Sequence, residues 1–174
     1  MSRTKNCLAK LDRMKKTLSH KEADRVPVSD FFWVSFLERW RRELGLPADA
    51  DIYTYYDLDW ICVNPNMDPH IKPFEMLLDT EEEALVRTGF EAIIRHRKGR
   101  QMPYFEHFDT DTIEKALAFT FDDPWDERRY FKGGDDQING VSEVISRNFP
   151  PWVETVKALH PNFPVFGGIC EAQE

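Results

Sequence analysis

The stretch Arg13–Val28, RMKKTLSHKEADRVPV, constrains this chain more than any other. It predicts the end of a helix, a short polar loop and the entry to a buried strand. Pro27 fixes its own φ and drives Val26 out of the α region, so the backbone is extended there. The run that follows, Val28–Phe36 (VSDFFWVSF), is apolar and aromatic and predicts a first core strand. Upstream, Leu8, Leu11, Met14 and Leu18 recur at three- and four-residue spacing with lysines opposite, which predicts an amphipathic helix over 4–19.

Downstream, Leu37–Leu44 (LERWRREL) predicts a helix, with Gly45 as its C-terminal cap and Pro47 barring continuation. Asp57–Asn64 (DLDWICVN) predicts a second short buried strand, closed by Pro65 and Pro69. Residues 73–100 change texture. Short extended segments, partly alternating as in Ile93/Arg95 and Ile94/His96, predict an antiparallel meander, and Met102–Phe108 extends again. Thr110–Ala118 predicts a short helix capped by Thr110, and Phe121–Tyr130 a polar turn leading into another. Asp135–Asn148 predicts a helix with Ile138, Val141, Val144 and Ile145 on one face. Trp152–Leu159 predicts another behind Pro151, and Phe163–Ile169 a third buried strand. This order suits a parallel α/β sheet with an insertion. A strand that ends a chain leaves a bare edge, which predicts a continuing polypeptide or a partner.

Charge is uneven. Residues 1–25 carry net +5, while the whole chain of 174 residues carries −8. The basic arm reads as a solvated helix face, because the acidic remainder repels phosphate and no nucleic-acid motif accompanies it. No apolar run reaches the roughly 20 residues of a membrane span. Cys7, Cys62 and Cys170 are odd in number and far apart, which predicts reduced thiols and a cytoplasmic setting. Nucleic acid and membrane are therefore not expected partners.

RMKKTLSHKEADRVPV, FLERWRRELGLP, YYDLDW, FEMLLDTEEEALVRTGFEAIIRHRKG, MPYFEHF, DTIEKALAFTFDDPWDERR and WVETVKALHPNFPVFGGI together resemble, in order, the uroporphyrinogen decarboxylase superfamily. That superfamily also contains corrinoid and coenzyme M methyltransferases. The resemblance implies an α/β fold: the N-terminal part of a (β/α)8 TIM-type barrel with a helical arm (1–25) and an antiparallel β-meander insertion (73–100). A complete barrel of this type takes about 250 residues, so the chain would be a single incomplete domain.

The resemblance also separates two chemistries. The decarboxylases, lyases of porphyrin metabolism, carry paired arginines just after the first strand, where this chain reads SDFFWVSFLERWRR. They place an aspartate after the second strand, near where Asn66 stands, and asparagine lacks the charge that would stabilise a protonated pyrrole. Methyl transfer to a corrinoid or to a thiol or folate acceptor fits these departures better, with uroporphyrinogen decarboxylation as the alternative. A non-catalytic interaction or dimerisation module is a third reading. Corrinoid and zinc are implied only for a full-length methyltransferase, whose zinc ligands lie in the later half of the barrel. The implied partners are a small-molecule substrate or corrinoid protein, and the remaining barrel half or a second copy.

Barrel chemistry sits at the C-terminal ends of the strands. Asp30 and Trp33 stand there on the first strand, Asn64 and Asn66 on the second, and Gly167, Gly168 and Glu171 on the third. Asp30 and Asn66 are the catalytic candidates, and the others are substrate-binding candidates. Each has an alternative: a salt bridge for Asp30, a turn role for Asn64 and Asn66, and tight strand packing for the glycines. Asp57 and Asp59 lie at the opposite, stability-bearing end.

Overall fold

The computed structural model describes residues 2–100, 102–138 and 149–168. In chain order the elements are α1 (Lys5–Leu18), α2 (Val34–Glu43), α3 (Ile52–Tyr55), β1 (Ile61–Cys62), β2 (Glu75–Asp79), β3 (Glu83–Arg87), β4 (Ala92–Arg97), β5 (Tyr104–Phe108), α4 (Ile113–Ala118), α5 (Arg128–Phe131), α6 (Trp152–Leu159) and β6 (Val165–Phe166). The chain divides into two compact units, one of Met1–Val63 with Glu154–Gly168 and one containing Asn64–Val153.

In the first unit β1 and β6 pair in parallel, Ile61 against Val165 and Cys62 against Phe166. Val28–Phe36, expected as a strand, forms no ladder, and its last three residues open α2 at Val34. The Val28 N–H is taken by the Asp59 carboxylate at 2.7 Å rather than by a backbone carbonyl. The segment still lies beside the entry to β1: Asp59 N–H donates to the Val28 carbonyl at 2.8 Å, and Ser29 Oγ donates to the Trp60 carbonyl at 2.5 Å. Residue numbers rise together along both segments, the sense expected of parallel neighbours.

Helix α1 forms where expected, and of its expected apolar stripe Leu11 and Met14 are half-buried. Cys7, Lys10 and Arg13 are buried, whereas Leu8 and Leu18 are 54% and 68% exposed. Buried acceptors at the entry to β1 select that face, since each needs a donor. Lys10 Nζ donates to the Leu58 carbonyl at 2.7 Å, pairs with Asp57 at 2.8 Å and sits 4.5 Å from the centre of the Phe163 ring. Arg13 pairs with Asp59, whose carboxylate is completely buried. Thr4 caps α1 by accepting from Cys7 N–H, and its own N–H donates to the Pro161 carbonyl at 2.9 Å.

Helix α2 ends as expected. Gly45 takes φ +61°, and Gly45 and Leu46 N–H donate back to the Arg42 and Arg41 carbonyls. Helix α1 ends in the same motif, but His20 occupies the left-handed position at φ +53°. A side chain there is strained where glycine is not. His20→Gly is expected to raise stability by about 0.5–1 kcal/mol, read as a higher urea midpoint with unchanged slope.

The second unit is built on an antiparallel sheet in the order β2-β3-β4-β5. Ala84, Val86, Ala92 and Ile94 are buried on one face. The other face carries ion pairs, Arg87 with Glu75 and Asp109, and Arg95 with Glu83 and Glu106. Val86 pairs with Ile94 and Leu85 with Arg95, so each face is shared across the β3–β4 ladder. The β3–β4 turn packs its backbone on the preceding loop. His70 N–H donates to the Gly89 carbonyl, and a Cβ on Gly89 would lie 2.2 Å from the His70 carbonyl oxygen. Gly89→Ala must push two backbones apart. The expected cost is about 1–3 kcal/mol, measured by urea denaturation.

Thr112, not Thr110, caps α4, because its side chain accepts from Lys115 N–H at 3.2 Å. The helix expected over Asp135–Asn148 falls largely outside the described residues. Its described start, Asp135–Ile138, is not helical, and Gln137 and Ile138 form a turn.

Candidate functional site

The parallel arrangement of the first unit fixes one edge. After Ser29 the chain reaches Asp30, and after β6 it reaches Gly167 and Gly168, so these residues lie at the C-terminal edge of their segments. Asp30 is exposed rather than buried in an apolar run. Its carboxylate accepts from the Phe31 N–H at 2.7 Å, and its carbonyl accepts from Tyr53 Oη at 2.8 Å. It makes no ion pair among the described residues, so the salt bridge considered for it is not formed. Trp33 is 41% exposed at the start of α2. The adjoining wall is aromatic: Phe32 stacks on Phe36 at 5.7 Å and meets Tyr53 edge-on at 5.6 Å. A Cβ on Gly167 would meet nothing within 4 Å, so packing does not require glycine there. Glu171 lies outside the described residues. Burial pushes the Cys62 thiol up, which disfavours the thiolate.

Asn64 and Asn66 belong to the second unit. Asn66 has a structural job. Its side-chain amide donates to the Asp135 carbonyl at 3.1 Å, and its side-chain oxygen accepts from Asp68 N–H at 3.0 Å. The turn role considered for it is therefore realised. Asn66 also lines a cavity of about 400 Å³ with Lys72, Arg128, Lys132 and Gly133-Gly134.

Sequence reasoning missed the polar residues behind this loop. Arg129 is 8% exposed and donates to four carbonyls, those of Asn66, Asp68, Asp122 and Asp123. Asp68 and Asp136 are 1% and 3% exposed. The Asp68 carboxyl accepts the Gln137 N–H at 3.0 Å, yet it is pushed up to about 7, first by burial and then by the neighbouring Asp136 charge. Such a group gives or takes a proton near neutrality. The available signal was an aspartate between two prolines, NPNMDP, where a polar loop must find internal partners.

Among the described residues no three His, Cys, Asp or Glu side chains stand together to hold a metal. Also among the described residues, no helix is long and apolar enough to cross a membrane. Comparison with protein-family models, with curated proteins and with solved structures finds no match to this chain.

Proposed function

We propose that this chain is the N-terminal portion of a uroporphyrinogen decarboxylase-like barrel enzyme whose chemistry is methyl transfer to a corrinoid or to a thiol or folate acceptor. The observation that carries this reading is the parallel pairing of β1 with β6, with Val28–Ser29 running beside the entry to β1. Strands that return in parallel through helices bring their C-terminal ends to one edge, where α/β enzymes place their sites. Asp30, Trp33 and Gly167 would serve that edge, with the aromatic wall of Phe32, Phe36 and Tyr53 facing an apolar part of the substrate. Methyl transfer is preferred over decarboxylation for two reasons. The segment after Val28 lacks the paired arginines that would grip substrate carboxylates, and Asn66 stands where a charged group is needed, with its side chain already engaged in a turn.

The test combines the protein with the polypeptide encoded directly downstream and adds methylcobalamin with a thiol or with tetrahydrofolate. A protein-dependent change in the cobalamin spectrum is the expected result. Conversion of uroporphyrinogen with no effect on methylcobalamin would transfer the assignment to the decarboxylase branch. Inertness toward both substrates in the combined sample would remove the enzyme reading.

A further inference from the structure

A second binding site is built on the β4–β5 hairpin, in the outer part of the sheet. There a groove of about 920 Å³ is lined by Arg95, Arg97, Arg100, Met102, Tyr104 and Glu106, with Gly99 between the strands. The three arginines are not equivalent. Arg95 is held by Glu83 at 2.5 Å and by Glu106, so its charge is balanced within the sheet. Arg97 and Arg100 are exposed, and among the described residues their guanidinium groups have no hydrogen-bond or ion-pair partner. Lys98 is engaged elsewhere, with Asp79 at 2.9 Å and the Thr80 carbonyl.

The backbone brings the two arginines close at their Cα atoms, and both side chains line the same groove. Arg100 N–H donates to the Arg97 carbonyl at 2.9 Å, and Gly99 takes φ +80°. That is a type II turn, which places its first and fourth Cα atoms within about 7 Å. His96 Nε2 is 3.1 Å from the Arg100 carbonyl and steadies the turn. Beside the arginines the floor is apolar and open: Met102 is 66% exposed and Tyr104 67%. Two unbalanced guanidinium forks stand out in a chain of net charge −8. Solvating them without a partner is ordinary for scattered surface arginines, but here both line one groove beside an uncovered ring.

The geometry points to a site for an organic phosphate, a phosphomonoester carried on a flat ring. Guanidinium forks match phosphate oxygens in pairs. The Tyr104 ring offers a stacking face, and the Met102 side chain adapts to the ligand edge. This site is independent of the methyl-transfer reading and lies wholly within the second unit.

Titration calorimetry with adenosine monophosphate, adenosine and inorganic phosphate tests it. Adenosine monophosphate binds, and added salt weakens the binding. Arg97→Gln and Arg100→Gln each weaken it by about tenfold or more. Arg97→Lys does not restore it, because an ammonium lacks the fork. Tyr104→Ala weakens the nucleotide but not inorganic phosphate, and Arg39→Gln on α2 changes nothing. Urea transitions equal to wild type confirm that these surface variants are folded. Absence of heat with the nucleotide, or binding indifferent to both arginines, overturns the site. Equal affinity for phosphate and nucleotide overturns the ring contact.

Discussion

Asp59→Ala is expected to cost about 3–5 kcal/mol of folding stability, the scale of breaking a buried ion pair from one side. Asp59 is fully buried and holds three partners: Arg13, Arg25 at 2.5 Å and the Val28 N–H at 2.7 Å. Truncation leaves the Arg13 guanidinium, itself 7% exposed, with only the solvent-facing Asp24 as partner, and frees the N–H that seats the chain after Pro27. Urea denaturation measures the loss. Asp24 provides the contrast. It also pairs with Arg13, at 2.6 Å, but is 65% exposed, so Asp24→Ala is expected to cost far less. Arg13→Met combined with Asp59→Leu is expected to recover much of the loss, because an apolar pair leaves no buried charge, and the Asp24 and Arg25 side chains it releases reach solvent. If Asp59→Ala unfolds at the wild-type urea concentration, the arm is not anchored through this carboxylate.

The second large effect is one of pH. Asp68 is pushed up to about 7 in the folded protein, against about 4 for an unfolded aspartate. The fold therefore prefers the neutral carboxyl. Its favourable contribution is complete below about pH 4, is lost as pH rises through about 7, and is absent above. Over that window the change amounts to about 4 kcal/mol. Other carboxylates act in the opposite sense: Asp24 and Asp126 are held down at about 2 by Arg13 and Arg128. The readable quantity is consequently the difference between wild type and Asp68→Asn. Stability measured by urea at intervals between about pH 4 and about pH 8 should show the wild type falling relative to the variant as pH rises. Parallel curves would mean that Asp68 carries no shifted proton. The groups facing it are Asp136, the Gln137 and Ile138 N–H groups and the Arg129 charge. Of these, burial and Asp136 favour the neutral form.

Several elements were legible in the sequence because their causes are local. Helix α1 follows from its spacing, and α2 stops at Gly45 because only a left-handed residue completes that motif. The strands β3 and β4 follow from alternation, which puts Val86 and Ile94 inside and Arg87 and Arg95 outside. Other features depended on distant partners. Spacing alone favours the leucine stripe of α1 for burial, yet Cys7, Lys10 and Arg13 are buried. Val28–Trp33 has the composition of a strand, but a carboxylate from Asp59 occupies the N–H that a ladder would use. The candidate site divides in the same way. Residues that follow a strand were nameable from strand order, whereas Asp68, Arg129 and Asp136 matter only through neighbours far along the chain.

By itself, the sequence determined that α1, α2 and α6 are helical, that β3 and β4 alternate and where proline and glycine interrupt the chain, because backbone sterics and periodicity act within a few residues. Tertiary structure alone decided that Cys7, Lys10 and Arg13 are the buried residues of α1, and which aspartate carboxyl is pushed up and which are held down. Those outcomes depend on burial and on pairing between residues far apart in the chain, and desolvation has no value until the neighbours that exclude water are in place.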